Sequence, residues 1–175
     1  MSDDITIGTQ IAGVFRSIAE TRMDGVPILN PELSVEVVGL QEWKEQWFCV
    51  LITPWFMNMV LLPMKADDTA WQTLRTGETV RQVLPSGSFP FIVGEEEGLG
   101  TYQSCSLFSP MFEFTAQDQA VETAVAAIAE VMKSEAAAED NIRPAETPAE
   151  KQELESPARR KLFGMARDAV SGDGA

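Results

Sequence analysis

The chain has 175 residues, 45% of them hydrophobic, including nine Phe and four Trp, which suits one domain with a substantial core plus a tail. Its 27 acidic residues against 13 basic ones leave a formal net charge of −14, which excludes coating of nucleic-acid backbones and opposes anionic lipid surfaces. There is no His, so the commonest general base, metal ligand and partner of a Ser or Cys nucleophile is missing. No catalytic residue, metal site or cofactor is therefore expected, and the chain does not read as an enzyme.

The opening "MSDDITIG" has neither a basic n-region nor an apolar h-region, so no signal peptide is expected and the cytoplasm is the expected location. Residues 4–22 follow as an amphipathic helix, with Ile7, Ile11, Val14, Phe15 and Ile18 on one face. "DGVPILNP" is punctuation, and "LSVEVVGLQEW" reads as a strand. "QWFCVLI" is almost wholly apolar, as a central strand covered on both faces should be. "NMVLL" pairs with it in a hairpin joined by "PWFM". Residues 65–78 suggest a polar loop or short helix, "TVRQVLP" and "SFPFIVG" a second hairpin, and "TYQSCSLFSPMFEF" a mostly extended stretch. Thr115 is the expected N-cap of a helix over 116–132.

From Ser134 the composition shifts to Ala, Glu and Pro with few large apolar side chains, which cannot offset the entropy of ordering. The fold class is thus α+β: a mostly antiparallel sheet of about five strands, an N-terminal helix, a helix after the sheet, then a disordered tail. Residues 1–133 form the globular domain, 134–155 the linker, and 156–175 a short amphipathic helix carrying Arg159-Arg160.

"FCVLITPWFMNMVLLPM" is the most apolar window, but it is shorter than the ~20 residues of a spanning helix and is broken by two Pro and an Asn, so no stable membrane insertion is expected. Two readings of its centre stand open. Trp55, Phe56, Met57 and Met59 fill the core, or Pro54 forces a surface loop whose aromatic and Met side chains offer an adaptable contact site, with Asn58 able to hydrogen-bond an extended backbone. The same choice applies to Tyr102, Gln103, Cys105, Phe108, Met111 and Phe112: an edge strand feeding the last helix, or the floor of a polar–aromatic groove. Cys105 has no cationic neighbour in sequence to lower its pKa and reads as an inert thiol. A Cys49–Cys105 disulfide is one reading, but two lone cysteines favour cytosolic thiols. "GEEEGLG" reads as a solvated acidic turn, since three adjacent carboxylates do not converge on a cation.

"TRMDGVPILNP", "TPWFMNMVLLP", "FPFIVGEEEGLGTYQSCSLFSPMFEF" and "ARRKLF" together resemble the nickel–iron hydrogenase assembly chaperones of the HybE, HupJ and HoxT type, over residues 10–133 and the tail motif, with the acidic linker outside it. The resemblance implies a cytoplasmic accessory protein that holds an immature uptake-hydrogenase subunit. The favoured partner is the small-subunit precursor, with its iron–sulfur clusters and twin-arginine signal. The large subunit and other accessory proteins are further partners, and nucleic acid is not one. The alternative is thiol-dependent protection or handling of the client's iron–sulfur cluster under oxygen, through Cys105. The resemblance supplies no catalytic residues. Against this background Arg159, Arg160, Leu162 and Phe163 look like a displaced twin-arginine signal, Ala-Arg-Arg-Lys-Leu-Phe, and suggest a pseudosubstrate for the client groove, paired through its arginines with Glu95–Glu97. The alternative is a basic helix end that is solvated or docks on another protein.

Overall fold

The apolar spacing at positions 7, 11, 14, 15 and 18 produces α1 (Ser2–Glu20), whose buried stripe is Ile11, Phe15 and Ile18. The computed structural model describes residues 2–133. After α1 come β1 (Glu36–Trp43), β2 (Gln46–Ile52), β3 (Met57–Pro63), the four-residue α2 (Thr69–Gln72), β4 (Thr79–Leu84), β5 (Gly87–Glu96), β6 (Gly100–Phe108) and α3 (Gln117–Val131). The sheet has six strands rather than about five, in the order β1-β2-β3-β6-β5-β4, with every neighbouring pair antiparallel. It consists of two three-stranded meanders fused along the β3–β6 pair.

Strand alternation divides the core between the two faces of the sheet. One face carries Phe48, Val50, Met57, Met59, Leu61, Phe89, Phe91, Cys105 and Leu107, and α3 covers it with Ala120, Ala124, Ala127 and Val131. The small side chains of that stripe let α3 lie close. At the β1 bulge Gly39 has φ +69°, and a Cβ there would stand 2.3 Å from Ile128 Cδ1, so both backbone and space demand glycine. The other face carries Trp47, Cys49, Leu51, Val60 and Leu62, packed under α1. β2 is buried on both sides almost throughout, which accounts for its unbroken apolar run.

Asn30 ties the loop before β1 to the loop after β6. Its side chain is buried, its Nδ2 donates to Met111 O at 2.8 Å and Phe114 O at 2.7 Å, and its Oδ1 accepts from Glu32 N at 2.9 Å. These bonds satisfy a group that would otherwise be costly to bury.

Two local expectations change. Ala116, not Thr115, is the N-cap of α3, and it makes no side-chain cap bond. Both the N–H and the hydroxyl of Thr115 go instead to Gln119 Oε1. The extended stretch from residue 102 leaves the sheet at Phe108, six residues before Phe114. Cys49 and Cys105 form no disulfide, and the sheet itself separates them: Cys49 belongs to the α1 side and Cys105 to the α3 side. The linker 134–155 and the tail helix with Arg159, Arg160, Leu162 and Phe163 lie outside the described residues.

Candidate functional site

The β2–β3 connection is organised by Thr53. Its Oγ1 accepts from Trp55 N at 3.2 Å and Phe56 N at 2.9 Å, while Thr53 N donates to Phe56 O at 2.8 Å. Trp55 and Phe56 are half-buried, their rings edge-on at 5.4 Å, and Phe56 is edge-on to Phe15 of α1 at 5.9 Å. Met57, expected at an offered tip, is fully buried because it is the first residue of β3 and points toward α3.

Most of the other residues named from sequence are interior as well. Met59, Cys105, Phe108 and Met111 belong to the core beneath α3. Gln103 is buried, and its Oε1 accepts from Gln82 Nε2 at 2.8 Å, so it completes a core carboxamide pair instead of facing a ligand backbone. Asn58, Tyr102 and Phe112 retain accessible surface. Asn58 Oδ1 is sealed from solvent and accepts no hydrogen bond, an unmet need worth about 1–3 kcal/mol.

Asn58 and Tyr102 border a surface that the sequence reading missed. α1 covers the β1–β3 half of its side of the sheet; among the described residues nothing covers the β4–β6 half. Register places Asn58 beside Ser106, Val60 beside Ser104, Ser104 beside Ile92 and Ile92 beside Thr79, all on this face. Pro90 lies opposite Arg81, and Val83 opposite Ser88. Val83 is 61% exposed and Ile92 53%. The surface is flat, apolar in patches and rich in hydroxyls. At the Phe108 end it runs into a cleft of about 320 Å³ lined by Ser106, Phe108, Pro110, Phe112 and Glu113, with Phe112 56% exposed.

The opposite end is acidic. A cleft of about 710 Å³ separates α1 from the β5–β6 turn and is lined by Gly13, Val14, Ser17, Arg22, Glu96 and Glu97. Arg22 Nη2 meets Glu96 Oε1 at 2.6 Å, and Gln10 Nε2 donates to Gly98 O at 2.6 Å. Tyr102 stands between the cleft and the open face. Its ring lies over Gly94, where a Cβ would approach Tyr102 Cζ to 2.8 Å. Burial pushes the Tyr102 phenol up; Glu96 pushes the same way and Arg22 opposes it.

One sequence signal for the open face existed. In "SFPFIVG" the buried residues Phe89, Phe91 and Val93 alternate, which leaves Ile92 on the other side with Pro90 and Gly94. An apolar residue there needs a cover, and no helix remained among residues 2–133 to provide it. Among the described residues no group of three potential metal-ligating side chains exists, and no helix is long and apolar enough to cross a membrane.

Residues 6–165 match the family model of the NiFe-hydrogenase assembly chaperone HybE. The chain belongs to that family. The match runs through 134–155, which the sequence reading had left outside the resemblance, and into the Arg-Arg segment. The hydrogenase expression/formation protein HupJ of Bradyrhizobium diazoefficiens is 41% identical over 150 residues, 84% of this chain and 85% of that protein. A longer relative, the probable rubredoxin HupJ of Rhodobacter capsulatus, is 39% identical over 125 residues, 71% of this chain but only 44% of that protein. The solution structure of HybE from Escherichia coli superposes with a TM-score of 0.59 at 27% identity, covering 72% of this chain and 76% of that one. The half-covered sheet is therefore a feature of a hydrogenase assembly chaperone.

Proposed function

We propose that this HybE-family chaperone binds the precursor of a nickel–iron hydrogenase small subunit in the cytoplasm, before export, across the open β4–β6 face and the acidic cleft at its end. The observation that carries this reading is the pair of exposed residues Val83 and Ile92 on a sheet face that no described residue covers, in a strongly acidic molecule. A twin-arginine signal has two arginines followed by an apolar stretch. The arginines meet Glu96 and Glu97, displacing Arg22 from Glu96. The apolar stretch lies along Ile92, Pro90 and Val83 toward Phe112. Asn58 lies at the inner margin. Opposite charge speeds encounter, and the apolar patch sets the lifetime of the complex.

This reading keeps Trp55, Phe56, Asn58, Tyr102 and Phe112 as surface or margin residues of the site. It assigns Met57, Met59, Gln103, Cys105, Phe108 and Met111 to the scaffold behind it. The thiol-dependent alternative finds little support, because Cys105 is buried on the far side of the sheet from the open face.

The test is capture of purified small-subunit precursor by wild type and by an Ile92→Asp, Val83→Asp double variant of unchanged circular dichroism. Binding by wild type and its loss in the variant support the proposal. Equal capture by both overturns the open face as the site. No capture by wild type overturns the small-subunit assignment and makes the large subunit the next client to test.

A further inference from the structure

The described chain stops on the α3 side of the sheet, at its β4–β5 end, where Ser86 N of the turn donates to Val131 O at the last turn of α3. Val83 and Ser88 lie at the same end on the other side, so a segment that reaches the bare face passes round that end. Three strands at about 4.8 Å spacing present a strip ~14 Å wide, which matches the ~10–12 Å diameter of a single helix. α1 already occupies the neighbouring strip, and one further helix laid beside it would complete the layer.

The chain carries one segment suited to that place. After Ser156 and Pro157, which begin a helix well, Leu162, Ala166 and Ala169 share a face, with Phe163 and Met165 flanking it. Arg159-Arg160-Lys161 is the only run of three consecutive basic residues in the sequence, and Glu95-Glu96-Glu97 the only run of three consecutive acidic ones. The acidic run lies at the far end of β5 from the exit point. Ten residues of strand span about 33 Å. From Lys133 to Arg159 the chain has 26 residues. A fully flexible chain of that length would reach about 25–31 Å r.m.s., and a charged, Pro-containing one further, so the length is sufficient for the span.

We infer that residues 156–169 seat on the β4–β6 face of their own chain as a helix, with Leu162 and Ala166 over Ile92 and Pro90 and Arg159-Arg160 toward Glu96 and Glu97. The segment is thus an internal occupant of the surface that the proposed function gives to the client, and in that respect the inference rests on that proposal. A client displaces the segment and does not find the face empty. Arg22, which holds Glu96 in the described structure, is released to solvent by either occupant.

Intrachain cross-linking of the full chain tests the seat without any client. In an Ile92→Cys, Leu162→Cys variant, mild diamide oxidation should close an intramolecular disulfide at least about tenfold faster than in an Ile5→Cys, Leu162→Cys control, whose first site is exposed on α1. Adding Arg159→Glu and Arg160→Glu should slow closure severalfold. Equal rates in the two cysteine pairs overturn the inference, as does a product that is mainly a cross-linked dimer, which would make a second copy the occupant. A twin-arginine signal peptide is then added to the oxidation. Slowed closure supports one shared surface. Undiminished closure leaves the tail seated and overturns the client assignment alone.

Discussion

The two halves of the α1 side of the sheet come from similar strands and meet different fates. Under α1, Trp47, Leu51, Val60 and Leu62 interlock with Ile11, Phe15 and Ile18, and Phe15 is edge-on to both Phe56 and Tyr102. Two and three strands beyond β3, Pro90 and Ile92 of β5 and Arg81 and Val83 of β4 face outward with no layer above them among the described residues. The covered half holds the fold together. On the proposed reading, the open half adds little to stability and serves recognition. A chaperone needs both on one surface, because a contact site on a well-anchored sheet keeps its shape between clients.

Breaking the covered half should give the largest effect. Phe15→Ala removes a buried ring and two edge-on aromatic contacts, and should cost about 3–5 kcal/mol in urea unfolding. A loss below 1 kcal/mol would mean that α1 is not an integral layer.

The second effect is alkaline. Burial raises the Cys49 thiol from its ordinary 9.0 to about 12. The unfolded chain releases that proton first, so stability is complete below about pH 9 and declines as pH rises toward 12. Between pH 9 and 11 the loss should be about 2–3 kcal/mol, and Cys49→Ala should flatten most of that slope. An unchanged slope would show that the thiol is not sealed beneath α1.

At the boundary between the halves, Asn58→Leu removes an acceptor that has no partner. It should raise stability by about 1 kcal/mol while weakening precursor binding, the trade expected of a group retained for recognition. A loss of stability would mean that Asn58 is structural. The smallest stability change belongs to the open half. Ile92→Ser should alter unfolding by no more than about 0.5 kcal/mol, yet reduce precursor affinity about tenfold or more in a titration. Destabilisation above 2 kcal/mol would erase the distinction between the halves. Cys105→Ser, on the other side of the sheet, should leave precursor affinity within about twofold of wild type in the same titration, a change of under ~0.5 kcal/mol.

The strands were legible in sequence because their apolar runs are long and bounded by Gly and Pro. The unbroken run of β2 announced burial on both faces, and α1 and α3 showed helical spacing. The site was less legible. "WFM" looked like a loop tip because Pro54 interrupts the run, but Thr53 closes the turn so tightly that Met57 is already inside. Tyr102 to Phe112 looked like a groove because aromatic and polar residues interleave; in a strand that interleaving sends Gln103 and Cys105 to the core and Ser104 and Ser106 to the surface. Gln103 became core only through Gln82, 21 residues away, a pairing that no local pattern encodes. The bare face was harder still, because it is defined by the lack of a covering helix among the described residues.

The two hydrogen bonds that the Asn30 side chain makes to Met111 and Phe114 also set an order of events during synthesis. Its loop cannot close until Met111 and Phe114 exist, 81 and 84 residues later. At the usual ~5–20 residues per second, the N-terminal third waits roughly 4–17 s for its partners. For that interval the newborn chaperone, with Phe48 and Met59 not yet covered by α3, is itself a candidate for a chaperone's attention.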